Sequence, residues 1–341
     1  MRRLRWVALG ALALLAIAEG GLRLAGFAAP PLFVRDAAYQ YAYRPNQDVQ
    51  RMGNRVLVNA LSMRSDEVGA EDCVAVLLVG DSVVSGGNPT DHDELASTVL
   101  DRLVRAADGK TRVLNASAGG WTVEHAGAYL REHGHFGARA LVAVVNSADA
   151  TSRPDPGEVA GVRRGMPMRR PVTALGEVAR RYVWPRLSKA AGIAPDRPAD
   201  RPADHAVRLP VDAPAGAVGP GWQHLADYAA AAGVPLVLYL HPNRRELANR
   251  AYSTGGRLIQ AFADSAGIPL IDGMDYTHPD DYRDSIHLSG AGQQALVRGL
   301  SAVGVEAARA CRGGSLVAST SPVTVRLEAM SAAGGARADA P

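Results

Sequence analysis

The chain has 341 residues, 47% of them hydrophobic, which is enough for a sizeable core and excludes global disorder. Its 37 basic and 34 acidic residues leave a formal net charge of only +3. The basic residues gather at Arg2-Arg3-Arg5, Arg163-Arg164, Arg169-Arg170 and Arg180-Arg181 without interleaved aromatics. That pattern excludes a single-stranded nucleic-acid platform, and no nucleic-acid partner is expected.

Residues 1–28 set the compartment. Arg2, Arg3 and Arg5 precede an apolar stretch from Trp6 to Ala18, broken first by Glu19 and then by Arg23. Positive charge ahead of an apolar run holds that end in the cytoplasm and sends the following chain across the membrane. The clean apolar core suits a signal peptide cleaved near Ala16-Ile17-Ala18. Continuation through Leu22, Leu24, Ala25 and Phe27 gives a retained membrane anchor instead, and the anchor is the reading preferred. Either way the body of the chain is exported, to the periplasmic or extracellular side, and it is secreted if the segment is cleaved.

Residues 29–72 read as an extended lead-in containing Tyr43-Arg44-Pro45-Asn46 and Asn59-Ala60-Leu61-Ser62-Met63-Arg64. Strand-like and helix-like segments then alternate. Strands are predicted at 74–79, 112–115, 140–146, 235–240 and 268–271, and helices at 92–106, 123–132, 222–232, 244–265 and 290–310. Short apolar runs between amphipathic stretches predict parallel βαβ units with helices on both faces, a three-layer α/β/α domain over residues 73–312. Residues 151–220 break the rhythm as a Pro/Arg-rich insert. Within it Val172 to Leu187 is predicted to form a short helix with Tyr182 and Trp184 as apolar anchors. The tandem Arg197-Pro198-Ala199-Asp200-Arg201-Pro202-Ala203-Asp204 should be a solvated loop, and an insert this long serves as a lid, a partner surface or a tolerated surface loop. Residues 313–341 are small, polar and without period, and are expected to be disordered.

Two cysteines remain, Cys73 before the first core strand and Cys311 at the end of the last predicted helix. Helix C-termini return to the edge where strands begin, so these two can approach. A disulfide formed in an oxidising compartment and a pair of partly buried thiols both stay open.

Chemistry gathers at two places. Gly80-Asp81-Ser82 ends the apolar run Val74 to Val79, putting Ser82 at the C-terminal tip of a buried strand, where open α/β sheets hold reactive groups. Far downstream, Asp284-Ser285-Ile286-His287 supplies an Asp and a His three residues apart, which a helical bend would set side by side. His287 can then take the Ser82 proton as general base while Asp284 holds the imidazole tautomer. The following Ser289-Gly290-Ala291-Gly292 reads as a helix start. Asp81 is expected to support its turn through backbone hydrogen bonds. The bland alternatives are a helix-capping role for Ser82 and a plain turn for Gly120. His241 stands at the strand end Leu240-His241-Pro242-Asn243, as a substrate contact or a structural hydrogen bond. His125, His133 and His135 are expected at the surface. No trio of ligands has metal spacing, and neither a metal nor another cofactor is expected.

Taken in this order, the blocks resemble the SGNH/GDSL hydrolases over about residues 40 to 305. More narrowly they resemble the membrane-anchored bacterial members found with extracellular polysaccharides. Leu78-Val79-Gly80-Asp81-Ser82-Val83-Val84-Ser85-Gly86 puts Ser82 at the nucleophile position, and its N–H in the oxyanion hole. Asn115-Ala116-Ser117-Ala118-Gly119-Gly120-Trp121-Thr122 matches Gly120 to the glycine whose N–H lines that hole. Asp284 and His287 match the catalytic pair, and Asn59 to Arg64 looks like the segment before the domain in anchored members. The resemblance implies a flavodoxin-like doubly wound parallel sheet. It also implies a serine esterase that hydrolyses O-acyl esters, acetyl above all, on an extracellular or cell-surface glycan, without a cofactor.

One block departs from the family pattern. Val145-Asn146-Ser147-Ala148-Asp149 stands where the family has Gly, any residue, Asn, Asp. Ala148 replaces the asparagine that donates a second oxyanion hydrogen bond, a loss that typically costs about 10²–10³ in turnover. Asn146 lies two residues back on the same strand face, about 6–7 Å away, and donates there only if the strand end bends. Two rival functions therefore stay open. One is an acyltransferase on the same triad with a sugar hydroxyl as acceptor; the other is a non-catalytic domain that binds glycan or a partner.

Overall fold

The computed structural model describes residues 2–163, 165–192, 209–210 and 216–313. The predicted loop at 197–204 and the tail beyond Gly313 lie outside the described residues. The chain opens with α1 (Arg2–Leu24), none of whose residues is buried. Its apolar window has a mean hydropathy of 1.7, so by length and composition α1 can cross a membrane.

Residues 29–72 contain two antiparallel hairpins, β1 (Phe33–Asp36) with β2 (Gln40–Tyr43), and β3 (Gln47–Arg51) with β4 (Asn54–Val58). Tyr41, Tyr43, Val56, Val58 and Met63 from this segment are buried in the core cluster on one face of the main sheet. The lead-in is thus built into the domain rather than strung out before it.

The main sheet follows. β5 (Cys73–Gly80) leads to α2 (Ser82–Ser85) and α3 (Ala96–Arg105), then β6 (Thr111–Ser117), α4 (Val123–His133) and β7 (Ala140–Asn146). In the insert, β8 (Ser152–Arg153) pairs with β9 (Leu209–Pro210). Between them α5 (Ala174–Val178) runs through a π-helical stretch, Ala179–Val183, into α6 (Trp184–Ala190). The fold closes with α7 (Pro220–Ala232), β10 (Leu236–His241), α8 (Arg244–Asn249), α9 (Thr254–Ala266), β11 (Leu270–Asp272) and α10 (Gln293–Cys311).

The sheet order is β6-β5-β7-β10-β11, and every pairing in it is parallel. Renumbered within the sheet this is 2-1-3-4-5, the flavodoxin-like doubly wound order, with its switch point between β5 and β7. Side chains alternate along β5. Leu77 and Val79 pack with α4, α7, α9 and the hairpins, while Val76 and Leu78 pack with α3 and α10 on the opposite face.

Several boundaries differ from those predicted. β10 and β11 start one and two residues late, at Leu236 and Leu270, each just after a proline. Pro235 and Pro269 have no N–H to add to the ladder. The single helix predicted at 244–265 is two helices. Arg250 caps α8 in the left-handed region (φ 49°), and the break lets Tyr252 donate to Leu240 O at 2.8 Å and to Asp272 Oδ1 at 2.6 Å. In the insert, Tyr182 packs edge-on against Phe27, but Trp184 is 59% exposed and anchors nothing in the core. Arg163, also in the insert, is buried and pairs with Asp155 at 2.6 Å.

Cys73 and Cys311 form a disulfide, with Cα atoms 5.7 Å apart. It joins the start of β5 to the end of α10, at the sheet edge opposite Ser82.

Candidate active site

The site begins where β5 ends against β7. A Cβ at Gly80 would lie 2.6 Å from Val144 O, so the approach of these two strands requires glycine. Asp81 then caps α2, with Oδ1 accepting the Val83 N–H at 2.9 Å. The one-turn helix ends at Gly86 (φ 70°), whose N–H donates to Ser82 O. Ser82 is left half-buried at the mouth of the sheet.

Three side chains from distant parts of the chain hold this turn. Asn115 Nδ2 donates to Val84 O at 2.9 Å. Fully buried Arg64 donates to Ser85 O and Gly87 O, each at 3.0 Å. Arg283 donates to Thr90 Oγ1 and to Leu288 O, each at 3.1 Å, and to Gly86 O at 3.3 Å. Arg283 thereby links the Ser82 turn to the loop that carries His287. No such role was legible for Arg64 or Arg283, because their carbonyl partners lie 21 and 197 residues away.

Asp284 and His287 do meet, though not through a helical bend. Their loop is closed by a bridge between Tyr282 and Leu288. Inside it Asp284 Oδ1 accepts the N–H groups of Ile286 at 2.9 Å and His287 at 2.8 Å. This is an Asx-type turn, in which a short carboxylate side chain replaces the backbone acceptor. Asp284 Oδ2 lies 2.8 Å from His287 Nδ1, and His287 Nε2 lies 2.8 Å from Ser82 Oγ. Burial acts to raise the Asp284 carboxyl, but the hydrogen bonds from the Ile286 and His287 N–H groups and from the His287 ring outweigh it. The carboxyl is held below the ordinary carboxylate range. An ionised Asp284 favours the Nδ1–H tautomer of His287, which turns the Nε2 lone pair toward Ser82 Oγ.

Gly120 is buried with φ 81°. Among the described residues no acceptor engages the N–H of Gly120 or of Ser82. Neighbouring Gly119 flanks Ser82, since a Cβ there would lie 3.9 Å from Ser82 Cβ. Tyr41 fixes this loop by donating to Gly119 O at 2.9 Å. Trp121 Nε1 returns a bond to Tyr41 O at 2.9 Å.

Asn146 is not turned toward an oxyanion. Its Nδ2 donates to Asp81 Oδ2 at 3.1 Å, and its Oδ1 accepts the Ala148 N–H at 3.0 Å. The strand end stays straight because Asn146 caps the short turn Ser147–Thr151 and braces Asp81 instead. Ala148 itself is exposed. Ala148→Asn, which adds an amide donor at this position, is expected to raise kcat on p-nitrophenyl acetate by up to about a hundredfold with little change in KM. Steady-state kinetics on the two proteins checks this.

His241 is fully buried, and its Nε2–H donates to Ile286 O at 2.8 Å, bracing the loop that holds His287. Of the two roles open for it, the structural hydrogen bond is the one it makes. Burial pushes its pKa down to about 4. The folded protein keeps it neutral, whereas the unfolded chain binds a proton below about pH 6.5. This contribution to stability is complete above pH 6.5 and is lost as pH falls toward 4. Urea unfolding at pH 7 and pH 4.5 should show a drop of about 2–3 kcal/mol that is missing in His241→Gln.

His125, expected at the surface, is buried. It packs parallel to Trp121, receives the Thr122 N–H on Nδ1 and meets Gln40 Oε1 through Nε2. The aromatic cluster built by the lead-in covers what sequence spacing presented as an outer helix face. His133 is exposed, with its ring against Tyr39, and His135 is half-buried. Among the described residues no group of three or more His, Cys, Asp or Glu could hold a metal ion.

Against known proteins, no family model matches the chain, and no curated protein matches it. Solved structures do overlap with it. An alpha/beta hydrolase enzyme from the metagenome of Lake Arreo, Spain, is 16% identical over 70% of this chain and 97% of that one, with a TM-score of 0.37. A variant of an acetyl xylan esterase from Geobacillus stearothermophilus is 14% identical over 70% and 96%, with a TM-score of 0.36. A psychrotrophic esterase from Pseudoalteromonas sp., inhibited by monoethylphosphonate, is 14% identical over 68% and 96%, with a TM-score of 0.38. Likenesses this distant carry no argument about chemistry, which rests on the site itself.

Proposed function

We propose that this chain is a serine esterase of the SGNH/GDSL type, exported and held at the membrane by α1. It removes O-acyl groups, acetyl above all, from a cell-surface or extracellular glycan. The observation that carries this reading is the unbroken relay from Asp284 Oδ2 to His287 Nδ1 and from His287 Nε2 to Ser82 Oγ, 2.8 Å at each step.

Ser82 Oγ attacks the ester carbonyl carbon as His287 Nε2 takes its proton, and Asp284 stabilises the imidazolium without itself being protonated. The N–H groups of Ser82 and Gly120 stabilise the oxyanion. His287 returns the proton to the departing sugar oxygen, leaving Ser82 acylated. A water molecule then gives its proton to His287 and attacks the acyl carbon, releasing the carboxylic acid and restoring Ser82.

Export is supported by the arginines ahead of α1 and by the Cys73–Cys311 disulfide, which persists in oxidising compartments. The glycan rests on the family resemblance of the three sequence blocks.

The test uses two samples of the full-length protein in neutral detergent, one treated with a fluorophosphonate probe and the other given an O-acetylated glycan. Probe adduct on Ser82 and release of free acetate are expected. An unlabelled protein would point to a binding domain, and acetyl passed to an added sugar rather than to water would make it a transferase.

A further inference from the structure

A second feature lies away from the triad, where the insert meets the end of α1. A cavity of about 690 Å³ there is lined by Arg35, Arg169, Arg170, Arg180 and Arg181, with Glu177 as its single acid. Glu177 is already engaged. It pairs with buried Arg51, accepts the Ala28 N–H at 2.7 Å and meets Arg181 at 3.1 Å. Arg35 pairs with Glu158. Arg169, Arg170 and Arg180 are exposed and have no hydrogen bond or ion pair among the described residues. Among the described residues no counterion offsets these guanidinium groups, and their planar donor forks match the oxygens of a phosphate.

The surroundings of the cavity say which phosphate. The same insert segment clamps α1. Glu19 accepts the N–H groups of Ala174 and Leu175, each at 2.9 Å, and Arg23 donates to Val172 O at 2.8 Å. Leu24 and Val172, at this junction, are 91% and 90% exposed. Along the insert helix Val183, Trp184 and Leu187 are also exposed. Val183 and Trp184 stand four and three residues before Leu187, which puts the three on one face of the insert helix, and Arg180 lies in the π-helical stretch just ahead of them. An apolar stripe with a tryptophan beside arginines fits the interface of a bilayer, with rings and alkyl groups among acyl chains and guanidinium groups at headgroup depth. A soluble anion would use the arginines and leave the stripe in water.

We propose that this junction binds an anionic phospholipid of the leaflet from which α1 emerges, its phosphate held by Arg169, Arg170 and Arg180 and its acyl chains against Val183, Trp184 and Leu187. The proposal rests on the membrane insertion of α1 proposed above. It makes the insert a second membrane contact that fixes the orientation of the catalytic edge above the bilayer.

The test titrates the full-length protein in neutral detergent with dihexanoyl phosphatidylglycerol, dihexanoyl phosphatidylcholine or inorganic phosphate, reading binding and Tm. Phosphatidylglycerol should bind saturably and raise Tm, with much weaker effects from the other two. The triple variant Arg169→Ala, Arg170→Ala, Arg180→Ala should lose about a hundredfold in affinity, since each juxtamembrane cation contributes roughly fivefold. Its turnover of p-nitrophenyl acetate should stay unchanged, which controls for folding. Equal affinity for inorganic phosphate, or full lipid affinity in the triple variant, would overturn the proposal. Retention in phosphatidylcholine vesicles under alkaline carbonate reads α1 alone; release there would remove the span on which the lipid assignment depends.

Discussion

Ser82→Ala is expected to lower kcat for p-nitrophenyl acetate by about 10⁴–10⁶-fold, and His287→Ala by a similar factor. The reason is geometric. Ser82 Oγ has one base within reach, His287 Nε2 at 2.8 Å, and that base has one orienting carboxylate. Removing either member ends the covalent route, so the double variant should be no slower than each single one. Asp284→Asn should cost about 10⁴-fold, because an amide at that position no longer selects the tautomer that presents a lone pair to Ser82. What survives is the hydrolysis that the oxyanion N–H groups can promote with bulk water. Ser82 is half-buried and its variant loses one hydrogen bond, so thermal unfolding should move by no more than about 1 kcal/mol equivalent. Turnover that persists in Ser82→Ala would show that some other group does the chemistry and would sink the esterase assignment.

Reduction of Cys73–Cys311, or Cys73→Ser with Cys311→Ser, should destabilise the full chain by about 2–5 kcal/mol. The bond closes a loop across a separation of 238 residues, the range in which cross-linking most restricts the unfolded chain. It also pins the last turn of α10 to the first residue of β5, and α10 shares with α3 the cover of one face of the sheet. A fall in Tm on the order of 10 °C on adding reductant checks this. Specific activity measured well below that Tm should be retained, since the bond lies at the sheet edge opposite Ser82. An unchanged Tm would mean that the bond contributes nothing in solution.

Much of this architecture was legible in the sequence. The run Val74 to Val79 read as a buried strand, and a serine closing such a strand in a parallel α/β chain lies at the C-terminal edge. Asp284 and His287 stand three residues apart, so any tight turn there brings them together. β7 was placed without error because an unbroken apolar run of six residues, Ala140 to Val145, leaves little choice of boundaries.

Other features depended on contacts that no local pattern records. The Asx turn at Asp284 replaced the helical bend because the Tyr282–Leu288 bridge draws that loop closed across the site. Arg64 and Arg283 brace the Ser82 turn through carbonyl groups reached only when remote segments pack. His125 became a core residue when the hairpins of the lead-in folded over its helix, and Asn146 turned to Asp81, 65 residues away in the chain. The cysteines could be seen to approach, but only the docking of α10 brought their Cα atoms within bonding range. Hydrophobic periodicity along a chain reports which face of each element is buried, and so the sequence alone determined the layers and the strand edge that bears the serine. The partner of a buried polar group is chosen by three-dimensional packing, because desolvation forces it to find whichever donor or acceptor the fold brings near.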